Sequence, residues 1–223
     1  MPRLARVDVG NEIYHVINRA NGRLQIFDSP KDYQLFEQLL LDAQYLTDMR
    51  ILAYVIMPNH FHLVLWPQED GDLGRFMHRL TNTHTRKVHA ENGTQGTGHL
   101  YQGRYKSFIV DTDTYLLTLI KYVERNPVRA KLIDRAEEWQ WGSAWRRVKG
   151  SENQKKLISV SPTPFPHGYL NWVNAEEDRE KLAEIRNSVN RGFPYGRDTW
   201  RNVMLDKFHL ESTGRSPGRP KMN

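Results

Sequence analysis

The sequence predicts an α+β domain: a single antiparallel sheet with helices on one face. Three observations predict it. An apolar, β-branched run at 50–57 meets Pro58-Asn59 and returns as a second apolar run at 60–66, the signature of a hairpin. Stretches with helical spacing flank that hairpin on both sides, as in mixed layered domains. Near residue 149 the chain turns polar and proline-rich, which places a layered unit at 1–148 and an appendage at 149–223.

Each element follows from its residues. NEIYHVIN (11–18) alternates poorly but is β-branched and aromatic, and reads as a strand. Asn21-Gly22 then marks a turn. SPKDYQLFEQLLLDAQYL (29–46) offers Ser29 as a cap, Pro30 in the first turn and apolar residues at 33, 35, 36, 39, 40 and 46, an amphipathic helix. RILAYVIM (50–57) and HFHLVLW (60–66) are the hairpin strands. Residues 71–92 read as a helix with a basic face, and GTQGTG (93–98) as a loop. YQGRYKSFIV (101–110) is the next strand. DTDTYLLTLIKYVERN (111–126) opens with Asp/Thr caps and ends before Pro127, as helices tend to do. Beyond a tryptophan-rich segment, residues 149–156 are linker-like, and SPTPFPHG (161–168) has three prolines that exclude a helix interior or central strand. Residues 175–192 form a charged helix, and the tail from 212 is polar. The order is β-α-β-β-α-β-α followed by the appendage.

Composition narrows the chemistry. The 223 residues are 39% hydrophobic, enough for a packed core. There is no cysteine, so disulfides, thiolate zinc sites and cysteine nucleophiles are excluded. The N-terminus lacks a signal-peptide layout, and no apolar run approaches the roughly 18–20 residues of a membrane span, so a cytoplasmic chain without a membrane partner is expected. The net charge is +6 with a pI near 9.5. Nearly all of that excess lies in 75–106, where Arg75, Arg79, Arg86, Lys87, Arg104 and Lys106 face one acid, Glu91. Tyr101, Tyr105 and other aromatics are interleaved there, a pattern that suits nucleic acid as well as a solvated helix face.

The chemistry-bearing constellation begins with His60 and His62. Strand side chains alternate, so both imidazoles point to one side and could share a divalent ion; two hydrogen-bonded, partly buried histidines would give the same tripeptide. A third ligand must come from a neighbouring element. Helix 113–126 carries Tyr115, Tyr122 and Asn126 on one face at spacings of seven and four, opposite Leu116, Leu119, Ile120 and Val123. A phenol can act as nucleophile, and a residue one turn on can bind the ion that holds the target phosphate. Arg125 and Arg129 stand beside it, ready for phosphates.

YHVINRANGRLQIF, YVIMPNHFHLVLWP, GHLYQGRYKS and YLLTLIKYVERNPVRAKLI, in that order, resemble the REP-associated tyrosine transposases, a branch of the single-tyrosine HUH transposases. The resemblance spans about residues 4–148. It implies a ferredoxin-like fold and an endonuclease and strand transferase that recombines single-stranded DNA at hairpin-forming repeats. It implies a metal pair of His60 and His62 and a nucleophile in the helix before NPVRA. Tyr122 is chosen because Asn126 stands four positions on, where related enzymes carry a metal-binding amide; four after Tyr115 comes Leu119, which cannot ligate. The expected cofactor is Mg²⁺ or Mn²⁺, and no Walker-type loop calls for a nucleotide. Expected DNA contacts are Asn18, Arg19, the basic residues of 75–106, Tyr101 and Tyr105 as stacking faces, and Arg125 and Arg129. Arg219 and Lys221 join them within GRPK (218–221), which resembles an AT-hook core. Monomer and homodimer both remain open. A non-cutting DNA-hairpin binder and a nuclease that uses water as nucleophile are the alternatives.

Overall fold

The computed structural model describes residues 6–214. The elements are β1 (Ile13–Arg19), α1 (Pro30–Thr47), β2 (Arg50–Met57), β3 (His60–Trp66), α2 (Asp72–Asn92), β4 (Lys106–Val110), α3 (Thr114–Glu124) and α4 (Asn126–Arg129). There follow α5 (Ser143–Lys149), α6 (Glu152–Lys155), α7 (Tyr169–Asn174), α8 (Arg179–Arg191), α9 (Asp198–Lys207) and α10 (Glu211–Gly214). The four strands form one antiparallel sheet in the order β2-β3-β1-β4.

The α+β class and its element order are as expected. The start of α1 follows its sequence signals, with the Asp32 carboxylate accepting from the backbone N–H of Ser29 at 2.8 Å. The hairpin turns at Pro58-Asn59, pairing Met57 with His60. One expectation needs correction: helices cover both faces of the sheet. Phe36 and Leu40 of α1 and Phe76 and Leu80 of α2 pack on Tyr14, Val16, Phe61 and Leu63. On the opposite face, Leu116, Leu119, Ile120 and Val123 of α3 meet Ile13, Val55, Val64 and Phe108. Two-sided burial also explains why these strands alternate poorly, since neither face needs polar residues. A register shift between Ile51 and Ala53 adds one residue to β2, so Leu52 and Ala53 both join the α3 side.

Three elements also differ in their bounds. β1 runs one residue further than expected and starts later. β4 begins only at Lys106; Tyr101 makes an isolated bridge to Ala20 instead. The helix expected to reach 126 ends at Glu124, and a break at Arg125 starts the short α4 with Pro127 in its first turn.

Residues 149–156, expected to be linker-like, hold the end of α5 and the short α6. Ser151 caps α6, and the adjoining Leu157 is fully buried in the α1/α2-side core. Burying such a side chain contributes on the order of 2 kcal/mol. Ser159 then bonds to Ile51 at the free edge of β2, its N–H donating to the Ile51 carbonyl at 2.8 Å. Two buried carboxylates tie in the later helices. Glu37 of α1 accepts from the Tyr54 hydroxyl at 2.6 Å and pairs with Arg146 of α5 at 2.6 Å. Glu124 accepts from Ser143 at 2.6 Å and from Tyr169 of α7 at 2.7 Å. Tyr195 runs beside β4, its N–H donating to the Ile109 carbonyl at 3.0 Å.

Candidate active site

β3 pairs with β1 so that His62 lies opposite Ile17 and His60 opposite Arg19. Both histidines point to the α3 side of the sheet, with ring centroids 5.1 Å apart. α3 crosses that face and sets Tyr122 edge-on to His62, centroids 5.9 Å apart. His15 of β1 completes the cluster: its Nε2 lies 2.9 Å from Nδ1 of His62, and its ring is 6.3 Å from that of Tyr122. The phenol ring is therefore set against His62 and His15, with His60 on the far side of His62.

The electrostatics follow from burial. Burial lowers His15 to about 3, and burial with the nearby Arg19 charge lowers His60 to about 4. His62 is pushed well down, first by burial and then by its imidazole and guanidinium neighbours. All three rings are thus neutral at pH 7, the form a metal ligand requires. Burial pushes the Tyr122 hydroxyl up, opposed by Arg129, whose guanidinium lies 4.2 Å over the ring.

The donor set fits a divalent ion. His60 Nδ1 is 2.7 Å from Asn59 Oδ1, which accepts its N–H and leaves Nε2 with its lone pair. His62 is gripped at Nδ1 by His15, so its outward nitrogen is also Nε2. His15 itself faces His62, and among the described residues no three His, Cys, Asp or Glu side chains converge as a closed metal cage. Further ligands must therefore come from another type of group, solvent or substrate. Asn126 opens α4 with its amide nitrogen turned back to the carbonyls of Tyr122 (3.2 Å) and Val123 (3.3 Å), which leaves its oxygen outside those bonds.

The remaining predicted residues divide. Asn18, Arg19, Arg104 and Lys106 line a cavity of about 340 Å³ between β1, the 102–106 segment and α8. The Arg19 Nε is buried without a hydrogen-bond partner among the described residues. Arg79, Arg86 and Lys87 are exposed along α2, while Arg75 pairs with Asp72. Arg125 and Arg129 both pair with Glu177, at 3.1 and 2.7 Å. Tyr105 is covered on one face by the Arg6 guanidinium at 3.8 Å. Tyr101 is no stacking platform: it is 6% exposed, its hydroxyl meets His84 at 2.7 Å, and its ring packs on Phe61. Tyr115, two turns before Tyr122 on α3, packs against the same core, and its ring meets Tyr195 at 5.2 Å. Arg219 and Lys221 lie outside the described residues.

Sequence reasoning missed His15, Glu177 and Asn190. His15 had a faint signal, a histidine in a strand next to a motif already in use. Glu177 and Asn190 had none, since only folding brings α8 and its approach to the site.

The site thus combines a two-histidine strand, a helical tyrosine packed on it and a cation-lined cavity along the same antiparallel sheet. The sequence profile of the family Transposase IS200 like matches residues 8–126. That is more than half of the chain, and the chain belongs to this family, in which a divalent metal is typical. The solved structure of a REP-associated tyrosine transposase bound to a REP hairpin has the same fold. Its TM-score is 0.56 at 15% identity, over 75% of this chain and 96% of that one. A Deinococcus radiodurans R1 protein provisionally described as a transposase aligns at 21% identity over 56% of this chain and 97% of that one, with a TM-score of 0.39. No protein of curated function matches. Among the described residues, no helix is long and apolar enough to cross a membrane.

Proposed function

We propose that this transposase cuts and rejoins single-stranded DNA at hairpin-forming repeats, with Tyr122 as nucleophile. The observation that carries the reading is the contact of Tyr122 with His62, 5.9 Å between rings, inside a cationic border. The Tyr122 Oη attacks the scissile phosphorus. An O–P bond to tyrosine forms as the P–O3′ bond breaks, the phenol proton passes to solvent, and the departing 3′ oxygen takes a proton from solvent. The resulting 5′-phosphotyrosine conserves the ester for rejoining, so no nucleotide cofactor is needed. His60, His62 and the Asn126 oxygen would hold Mg²⁺ or Mn²⁺, which polarises a non-bridging phosphate oxygen when bound.

Arg129 lies over the Tyr122 ring and favours the phenolate as it forms. Arg19, Arg104 and Lys106 hold the DNA backbone, and Arg79, Arg86 and Lys87 extend that field along α2. Residues 1–148 are the cutting unit, and residues 149–214 brace it and border the DNA path. Tyr122 meets His62 of its own chain, which supports cutting in cis. The test is labelled hairpin DNA with a single-stranded flank plus Mn²⁺, run on a denaturing gel. A protein–DNA band is expected from wild type and from Tyr115→Phe, and none from Tyr122→Phe. An undiminished band from Tyr122→Phe would remove this nucleophile. A second reading, hairpin binding without cleavage, draws support from the burial of Tyr122, 8% exposed. Tight DNA binding by wild type with no band under any metal would favour it.

A further inference from the structure

We infer that His15 is a positioning residue for His62, holding its Nδ1 edge so that the Nε2 lone pair faces the cation site. This rests on the reading that His60 and His62 bind a divalent ion.

The geometry is closed around His15. It is fully buried on β1, diagonal to His62 across the antiparallel pair, with Nε2 2.9 Å from Nδ1. Phe108 packs on its ring at 4.9 Å, and Tyr122 stands on another side at 6.3 Å. The ring therefore has little freedom to turn away. Only one proton fits between the two facing nitrogens. If His15 Nε2 carries it, neutral His62 must be protonated at Nε2 and cannot ligate. If His62 Nδ1 carries it and donates to His15, His62 Nε2 keeps its lone pair and can ligate. Ion binding thus selects the second arrangement, in which His15 is the acceptor. Its own proton then sits on Nδ1, which is buried with no hydrogen-bond partner among the described residues. His15 plays for His62 the part that Asn59 plays for His60: each ring has a partner at Nδ1 and presents Nε2.

The test is Mn²⁺ titration of DNA-free full-length protein by calorimetry, with thermal melts to confirm folding. Wild type should bind. His15→Phe and His15→Leu, which lack an acceptor, should bind about 10–100-fold more weakly. His15→Gln, whose side-chain oxygen can accept from His62 Nδ1–H, should recover most of that loss. In Mg²⁺-loaded wild type, imidazole nitrogen spectra should show the His62 proton on Nδ1. Folded Phe and Leu variants with wild-type Mn²⁺ affinity, or a His62 proton on Nε2, would overturn the inference alone. No Mn²⁺ binding by wild type would bring down the underlying reading, and this inference with it.

Discussion

Two buried histidine–tyrosine clusters sit on opposite faces of the sheet, and they differ in what surrounds them. On the α1/α2 side, His84 meets the Tyr101 hydroxyl at 2.7 Å and stacks on Phe27 at 5.3 Å. Phe36 closes it at 5.0 Å. On the α3 side, His62 meets His15 and Tyr122, with His60 beside it, Arg129 over the tyrosine ring and the Arg19 cavity along β1. Residue types and burial are nearly the same. What differs is company: the first cluster is capped by hydrocarbon, and the second has a second imidazole and guanidiniums within reach. A buried imidazole beside a phenol is thus a core element or a candidate reactive centre according to its third neighbour.

The largest effect that could break this contrast is at the tyrosines. Tyr122→Phe should abolish the covalent DNA band. Tyr101→Phe should keep it and lower stability by about 1 kcal/mol, for one lost hydrogen bond. A band lost with a folded Tyr101→Phe would erase the distinction.

Next come the histidines. His84→Ala leaves a hole among Phe27, Phe36 and Tyr101 and should cost about 3 kcal/mol, or about 6–12 °C in Tm. At a temperature where the variant is folded, its Mn²⁺ affinity should equal that of wild type, whereas His62→Ala should lose Mn²⁺ binding. Equal loss in both would show that the two clusters are not functionally separate.

A pH series sharpens the comparison further. Burial lowers His84 to about 3. Below about 6.5 the unfolded chain takes up a proton that the folded chain refuses until pH nears 3. The stability this group confers is complete above 6.5 and is lost as pH falls from there toward 3. Each such histidine contributes a loss of about 1.4 kcal/mol per pH unit within that window. Urea midpoints should drop between pH 7 and 5, and the double variant His84→Phe with Tyr101→Phe should drop less, by nearly one proton.

The smallest effects lie on the basic border. Lys106→Ala and Arg104→Ala should each weaken DNA binding several-fold, alike for different sequences, and reduce the salt slope by about one. A change confined to one DNA sequence would mean base reading instead.

The hairpin was legible because a turn at Pro58-Asn59 separates two runs of β-branched and apolar residues, and strand parity alone put His60 and His62 on one side. α1 was legible through Ser29, Pro30 and its apolar spacing. The α3 break was not: Pro127 was expected to stop the helix at 126, but the backbone of Arg125 already leaves helical dihedrals (φ −88°, ψ 2°) and Pro127 sits in the first turn of α4. Nor was the fate of Tyr101 and Tyr105, because nothing local says whether an aromatic before a strand faces solvent or core.

The order of elements, the paired imidazoles, the helical tyrosines and the basic stretch were all determined by sequence, because turns, caps and side-chain periodicity act over a few residues. The tertiary structure decided which tyrosine meets the histidines, that helices close both faces, that His15 stands behind His62, and that Glu177 pairs with Arg125 and Arg129. Those outcomes depend on how distant elements pack across the sheet, and packing between segments far apart in the chain leaves no mark in local spacing.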